Sequence, residues 1–359
     1  MADQAFDQRA ADNQKKEGRT VLLKKVQSII LFLMFMFIGT LDDVQAEEIM
    51  GGYTIERIPN VHQIDINLGY FYLCEQPGTQ DQLGVKLINS SNQEKRLTIK
   101  VTNANTNVNG LLDYTGTIKD NKDLKLPLTS IVKSTQSEVK VPAKSEVNTS
   151  LTVTLPKEKF PGVVVGGIVV SEKAEKTPKD QKKEVSIENT YNYTLGVVLT
   201  NNAKTKMNQP ISVTLEKVAP ILSNGRKIIQ ADILNPNPYI FDQATVAGKI
   251  LEKNTDKVIK EQQKTNVNIA PYSVYPFQFD WKKDELKAGT YVFTGSVKAG
   301  GKEWLFSKEF TINPTTANDI NEQSLYHVVV PQWLQISWII LFLVNVAGII
   351  YLAIRYKKK

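Results

Sequence analysis

Cysteine is almost absent from this sequence. Cys74 is the single cysteine, so no disulfide can form within the chain. For an exported protein this favours a compartment whose proteins fold without disulfides, such as the surface of a Gram-positive bacterium. Cys74 also lies well past the N-terminal apolar run, which excludes a lipid-modified cysteine at a signal cleavage site. We interpret it as a strand residue, with a reactive or dimerising thiol as the alternative.

Histidine is equally scarce, and this limits the chemistry that the chain can perform. Only His62 and His327 occur. Neither lies in a recognisable motif, and a nucleophile–His–acid site would have to be built around one of them. The sequence contains no clustered His or Cys ligands for zinc, no calcium loop and no phosphate-binding glycine loop. It therefore predicts a non-enzymatic protein with no catalytic residues, no cofactor and no metal, and two surface histidines.

The positive charge of the chain is concentrated near its ends. The net charge is +7. Basic residues precede the first apolar run and close the chain, which is the distribution that sets membrane topology. We therefore expect no nucleic-acid partner. The N-terminal basic residues are Lys15, Lys16, Arg19, Lys24 and Lys25.

The N-terminal apolar run at 29–38 is about ten residues long, and a bilayer span needs about 20. It is therefore predicted to be the core of a signal peptide covering 1–46, with a long n-region. Cleavage is expected between Ala46 and Glu47. A retained anchor over 21–41 is the alternative, and translation beginning near Val21 is a second open point.

The C-terminal apolar run at 336–354 has no charged residue and, at about 19 residues, is long enough to cross a bilayer as a helix. We expect a stalk at 315–332, one transmembrane helix at 333–354 and a basic cytoplasmic tail at 355–359, with the body outside. The expected anchor residues are interfacial aromatics and the basic residues after the span: Trp333, Trp338, Tyr351, Arg355 and Lys357.

The body alternates apolar and polar residues with a period of two. Val85, Leu87 and Asn89 alternate with Lys86 and Ile88, and similar short runs follow between Asn, Gly and Pro turns. This pattern predicts an all-β body of antiparallel sandwiches.

An internal repeat divides the body into two parts. The strand-then-Asn turn at Asn89 recurs at Asn235, and the kink at Pro142 recurs at Pro271. We predict two immunoglobulin-like sandwiches in tandem, at 52–200 and 210–314, with a linker at 201–209. Each closes with a hairpin, 163–170 with 191–199 and 290–298 with 303–312, and the lysine-rich stretch 172–184 forms the tip of the first.

The stretch predicted to meet a ligand is rich in asparagine. Amide side chains offer both donors and acceptors to sugars or peptides, although they also cap turns by bonding their own backbone. Two aromatic clusters, at 70–72 and 272–279, compete as contact surfaces. The candidate ligand-binding residues are Asn103, Asn105, Asn107, Asn109 and Tyr114.

Short motifs along the chain resemble the WxL-interacting protein family of Gram-positive surfaces. They appear in order from about 53 to 354, and their order is more specific than any one of them. The matching stretches are NLGYFYL at 67–73, PG at 77–78, ANTNVNG at 104–110 with Tyr114, FPGV at 160–163, GGI at 166–168, VAP at 218–220, NGR at 224–226, LNP at 234–236, APYS at 270–273, AGTY at 288–291 and Trp304 before FTI at 310–312.

The resemblance implies that the first sandwich binds peptidoglycan and the second binds a host extracellular-matrix or cell-surface protein. It also implies a WxL-domain surface protein as partner, at the cell membrane in contact with the wall. Two alternatives stay open. One is a membrane-tethered assembly factor that holds a partner through a β-strand edge, and the other is a hydrolase of wall polymers that uses paired carboxylates.

Overall fold

The structure, a computed structural model, describes residues 50–173, 191–326 and 332–357. Three expectations from the sequence lie outside these residues: the signal segment with its cleavage point at Ala46 and Glu47, most of the lysine-rich tip, and His327. Between 50 and 326 the chain forms two pairs of β-sheets, which we call the N-terminal sandwich and the C-terminal sandwich.

The N-terminal sandwich pairs a four-stranded sheet with a five-stranded one. The first sheet has the order β1-β3-β9-β7 and the second β2-β11-β10-β4-β8. The pair β5-β6 forms a small separate hairpin, and a one-turn helix α1 (Leu128–Ile131) precedes β7. The strands are β1 Tyr53–Arg57, β2 Phe71–Cys74, β3 Gln80–Asn89, β4 Lys95–Asn103, β5 Asn105–Thr106, β6 Leu112–Asp113, β7 Val132–Ser134, β8 Glu138–Val141, β9 Ser145–Thr154, β10 Val164–Glu172 and β11 Asn192–Thr200.

Two-residue alternation explains why these segments form this sandwich. Successive side chains of a strand point to opposite faces of its sheet, and on β3 the buried residues are Leu83, Val85, Leu87 and Asn89. Opposing strands supply equivalent residues, so that one apolar core fills the space between the sheets. The alternation predicted for β3 is thus confirmed.

The C-terminal sandwich repeats the plan with a more aromatic core. A three-stranded sheet of order β12-β13-β16 faces a four-stranded sheet of order β15-β14-β17-β18. In its core Phe277, Phe279 and Phe293 form edge-to-face contacts, with ring centroids 5.0 and 6.0 Å apart. The strands are β12 Thr214–Ser223, β13 Arg226–Leu234, β14 Phe241–Glu252, β15 Val258–Ile269, β16 Val274–Asp280, β17 Gly289–Ala299 and β18 Lys302–Ile312.

Both predicted hairpins are confirmed. Strand β10 pairs antiparallel with β11, and β17 pairs antiparallel with β18. Strand β11 also runs parallel to β2 on its other side, so residues 192–200 belong to the N-terminal sandwich.

The repeated asparagine has the same role in both sandwiches. The Asn89 amide donates to the carbonyls of Val141 and Pro142 at 3.0 and 2.9 Å, and its Oδ1 accepts from the Ser91 N–H. The Asn235 amide donates to the carbonyls of Ile269 and Ala270, both at 3.1 Å, and its Oδ1 accepts from the Asn237 N–H. Each asparagine therefore ties the end of one strand to the kink that the sequence repeat identified.

The two sandwiches meet in a joint that combines apolar packing with backbone hydrogen bonds. The Val163 N–H donates to the Pro238 carbonyl at 2.8 Å, and the Asn268 N–H donates to the Gly110 carbonyl at 2.8 Å. Gly162 has a φ of +67°, and a Cβ there would lie 2.1 Å from the Pro238 oxygen. The apolar part of the joint consists of Ala104, Val163, Val165, Val198, Ile240 and Ala270.

Two helices follow the C-terminal sandwich. Helix α2 (Pro314–Gln323) buries Ala317 and Ile320 against the C-terminal core. Helix α3 spans Gln332–Lys357, and the described side chains among the expected anchor residues, Trp333, Trp338 and Tyr351, are exposed. Within the described ranges, no helix combines the length and the apolar character needed to cross a membrane. The transmembrane helix expected at 333–354, with Arg355 and Lys357 behind it, is therefore not confirmed.

Candidate functional site

The first two asparagines of the predicted ligand loop are buried rather than displayed. Asn103 and Asn105 are 6% and 5% exposed. The Asn103 amide donates to Asp120 Oδ2 at 2.6 Å, and the Asn105 amide donates to Asp120 Oδ1 at 2.8 Å. Asn103 Oδ1 also accepts the Thr129 N–H at 3.1 Å. These two side chains thus position the segment that carries Asp120.

The next two asparagines lie at the tip of the β5–β6 hairpin. Asn107 Oδ1 accepts the N–H groups of Asn109 and Leu111 at 2.9 and 3.2 Å, which is the turn-capping role that the amide group allows. Asn109 is exposed. The Gly110 carbonyl accepts a hydrogen bond from Asn268 of the C-terminal sandwich, so the tip is part of the joint.

Tyr114 packs beside Gly167 of β10 and against the apolar part of the joint, and it is partly buried. Burial raises the pKa of its phenol to about 12, so the side chain is neutral at physiological pH. The five predicted residues are therefore brought into one region, but only Asn109 is exposed, whereas Asn107 and Tyr114 are half-buried.

Next to this hairpin lies an open groove of about 1100 Å³, which we call the joint groove. One wall is the segment 117–122 of the N-terminal sandwich, held by the two buried asparagines. The floor is the outer face of β12, β13 and β16 in the C-terminal sandwich. Sequence reasoning identified one edge of the groove but missed its floor, because the floor residues come from strands about 110 to 170 positions later in the chain.

A hydrogen-bonded polar row crosses the floor of the joint groove. Gln278 Nε2 donates to Gln230 Oε1 at 2.8 Å, and Gln230 Nε2 donates to Asp232 Oδ1 at 2.7 Å. The Lys217 ammonium lies 3.5 Å from Asp232 Oδ2. Gln230 and Gln278 face each other directly in the β13–β16 register. The row is therefore fixed before any ligand arrives, which lowers the entropic cost of binding.

The groove carries charges of both signs. Lys119 and Lys122 are exposed on its wall, while Glu216 and Asp232 come from the floor. Asn121 Nδ2 lies 3.5 Å from Glu216 Oε2 and connects wall and floor. Such a surface can bind a polar, uncharged or zwitterionic polymer through amide and charge-assisted hydrogen bonds.

The two aromatic clusters expected as competing contact surfaces are mostly internal. Phe71, Tyr275, Phe277 and Phe279 are at most 2% exposed. Tyr70 and Tyr72 pack against the joint as partly buried residues. The period of two places Phe71, Tyr275, Phe277 and Phe279 on inward faces, where they fill the cores. Tyr70 and Tyr72 help to fill the joint.

A second polar cluster joins His62, Glu75 and Asp81 at one end of the N-terminal sandwich. His62 Nδ1 lies 3.0 Å from Glu75 Oε1 and 3.3 Å from Asp81 Oδ2. Burial and then the neighbouring Asp81 raise the pKa of Glu75 to about 7, and these carboxylates raise the pKa of His62 against the opposing effect of burial. Hydrogen bonds from Asn60 and from the Gln82 backbone lower the pKa of Asp81 in spite of its burial. Sequence reasoning missed this cluster because the three residues follow no motif spacing.

Solved structures that match this chain at low similarity include several chaperones. A YadV chaperone is 12% identical, with a TM-score of 0.27, over 72% of this chain and 100% of that chain. The E. coli chaperone DraB is 14% identical, with a TM-score of 0.26, over 67% of this chain and 93% of that chain. A chain of the CsuC-CsuE chaperone-tip adhesion subunit pre-assembly complex of Acinetobacter baumannii is 12% identical, with a TM-score of 0.28, over 63% of this chain and 90% of that chain. Among curated proteins, none matches this chain.

Two domain models of one protein family match this chain. Residues 53–172 match the peptidoglycan binding domain of WxL Interacting Protein, and residues 182–322 match its host binding domain. The second match begins before β11, a strand that pairs within the N-terminal sandwich. Both descriptions are of binding domains rather than of enzymes. Because the two matches follow one another over most of the chain, this protein belongs to the WxL-interacting protein family.

Proposed function

We propose that this protein is a surface-displayed binding scaffold that holds peptidoglycan in the joint groove. The observation that carries the proposal is the groove itself, whose wall comes from the peptidoglycan-binding match and whose floor comes from the host-binding match. A polymer in this groove would contact both parts of the protein at once.

The chemistry of the groove suits a wall polymer. Peptidoglycan presents sugar hydroxyls, acetamido groups and peptide carboxylates. The paired amides of Gln230 and Gln278 offer donors and acceptors to the first two. Lys119 and Lys122 offer ammonium groups to the third.

Attachment and partners complete the proposal. The body is two immunoglobulin-like domains in tandem, and the uncharged run at 336–354 tethers it to the membrane with Trp333, Trp338 and Tyr351 at the interfaces. The chain acts beside a WxL-domain surface protein and contacts a host extracellular-matrix or cell-surface protein. Support for these partners comes from the family, and support for the tether comes from the sequence. Alkaline carbonate extraction of cell membranes tests the tether, because an integral protein stays in the pellet whereas a peripheral one is released.

Sedimentation with insoluble peptidoglycan tests the binding proposal. The full-length chain in detergent should pellet with the polymer. The double variant Gln230→Ala/Gln278→Ala should bind about ten-fold more weakly, since two hydrogen bonds at about 0.5–1.5 kcal/mol each are removed. Gln136→Ala, at an exposed glutamine away from the groove, is the matched control. A wild-type chain that stays in the supernatant would count against the proposal.

A second function, assembly of a surface complex through a strand edge, is favoured by one observation. Strand β18 is an edge strand of its sheet, and its Leu305 is 76% exposed. An edge strand can pair with an added strand from a partner. Leu305→Lys should then reduce co-purification of a WxL-domain protein without changing sedimentation with peptidoglycan. Unchanged co-purification would exclude this edge.

A further inference from the structure

The cluster of His62, Glu75 and Asp81 brings together three segments of the N-terminal sandwich. His62 lies in the loop before β2, Glu75 directly follows β2, and Asp81 is the second residue of β3. One ligand atom from each lies within 4.8 Å of the other two. The chain therefore places an imidazole nitrogen and two carboxylates around one point.

Without a metal ion, only protons can balance the two carboxylates of this arrangement. One imidazole nitrogen carries at most one hydrogen, and yet His62 Nδ1 faces carboxylate oxygens at both 3.0 and 3.3 Å. Glu75 is only 1% exposed. In the described part of the chain the ion pairs of Glu75 and Asp81 are to His62 alone, with no Lys or Arg taking part. A buried carboxylate next to a second one is costly unless it takes up a proton or positive charge lies between the two, and a bound cation would supply that charge.

We propose that His62, Glu75 and Asp81 form a binding site for a divalent transition-metal cation, with Zn²⁺ as the best match. Imidazole together with carboxylates is a ligand set that zinc accepts, and the ligand atoms of a tetrahedral zinc site lie about 3.3 Å apart. The two distances from His62 Nδ1 already approach this value. The exposure of the His62 side chain, 45%, leaves room for water as a fourth ligand.

Asn60 supplies the outer support that metal ligands generally need. Its Nδ2 donates to Asp81 Oδ2 at 2.6 Å, and its Oδ1 accepts the His62 N–H at 2.7 Å. The same side chain thus orients the Asp81 carboxylate directly and fixes the backbone of His62.

The bound metal would cross-link three segments of a chain that has no disulfide. It would fix the loop before β2 to the end of β2 and to the start of β3. The Glu75 backbone is also bound to the end of β11, since its N–H donates to the Thr200 carbonyl at 2.9 Å. Metal binding to the folded state alone stabilises that state by mass action. None of the three residues lines the joint groove.

Zinc titration of the tag-free, chelator-treated full-length chain, followed by calorimetry, tests the site. One Zn²⁺ should bind per chain, and the melting temperature should rise with zinc. His62→Ala and the nearly isosteric Glu75→Gln should each weaken binding at least ten-fold. His327→Ala, at the other histidine of the chain, should bind as the wild type does. X-ray absorption of the zinc form should show one imidazole nitrogen together with oxygen ligands.

Several outcomes would overturn the proposal. They are absence of stoichiometric zinc binding by the wild type, full affinity in Glu75→Gln, or loss of binding in His327→Ala. Tighter binding of Ca²⁺ than of Zn²⁺ would overturn the choice of metal class. Circular dichroism of each variant before zinc is added separates misfolding from ligand loss, and Asp81→Asn provides the same test if His62→Ala fails to fold.

Discussion

Replacing Thr106 by valine should loosen the joint between the two sandwiches. Thr106 Oγ1 accepts the Ala270 N–H at 3.0 Å across the joint, and the two residues are 1% and 0% exposed. Valine keeps the shape of threonine but removes the acceptor, so the Ala270 N–H is left buried without a partner. An unsatisfied buried group of this kind costs about 1–3 kcal/mol.

With an unfolding entropy of about 2.1 cal/mol/K per residue over roughly 260 residues from β1 to β18, a loss of about 2 kcal/mol lowers Tm by about 4 °C. Thermal melting of the full-length variant by circular dichroism measures this shift. Thr149→Val is the matched control with the opposite sign, because Thr149 Oγ1 is buried and makes no hydrogen bond within the described residues. Removing that hydroxyl should leave Tm unchanged or raise it. An unchanged Tm for Thr106→Val, or an equal fall for Thr149→Val, would refute the reasoning.

Three further predictions concern the joint, the repeat and the buried phenols. Gly162→Ala should lower the free energy of unfolding by about 3 kcal/mol or more, since the new Cβ would meet the Pro238 oxygen. The control Gly301→Ala, at a glycine with positive φ but open space around it, should lower it by only about 1 kcal/mol. Equal melting curves for the two variants would contradict this. Asn89→Ala and Asn235→Ala should each lose about 3 kcal/mol in urea unfolding because both amides are buried and hold carbonyls, whereas exposed Asn109→Ala should change stability by less than about 0.5 kcal/mol. Burial raises the pKa of Tyr53, Tyr114 and Tyr275 to about 12, above the unfolded value of about 10. Their contribution to stability is therefore complete below about pH 10 and is lost as the pH rises towards 12. Ultraviolet titration of tyrosinate measures this, and ionisation of all phenols near pH 10 would contradict it.

More of the fold than of the candidate site could be predicted from the sequence. The period of two led to the β-rich body, and the internal repeat led to the closing hairpins and to the matching positions of Asn89 and Asn235, because strand burial and turn capping depend on neighbouring residues. The role of Asn103 and Asn105 could not be obtained in this way, since both amides are directed to Asp120 by the path of the intervening loop.

Contacts between distant segments explain the remaining differences. Gln230 and Gln278 meet only because β13 and β16 are neighbours in one sheet. His62 meets Glu75 and Asp81 only because the end of β2 and the start of β3 lie close to the loop that carries His62. Neither pairing has a local signal in the sequence.

Hydrogen–deuterium exchange of the full-length chain with soluble peptidoglycan fragments tests the central claim most directly. If the joint groove holds the polymer, exchange should slow both in the wall segment 117–122 and in β13 and β16 of the floor, and this protection should disappear in Gln230→Ala/Gln278→Ala. Protection confined to either sandwich alone, or located away from these segments, would contradict the account.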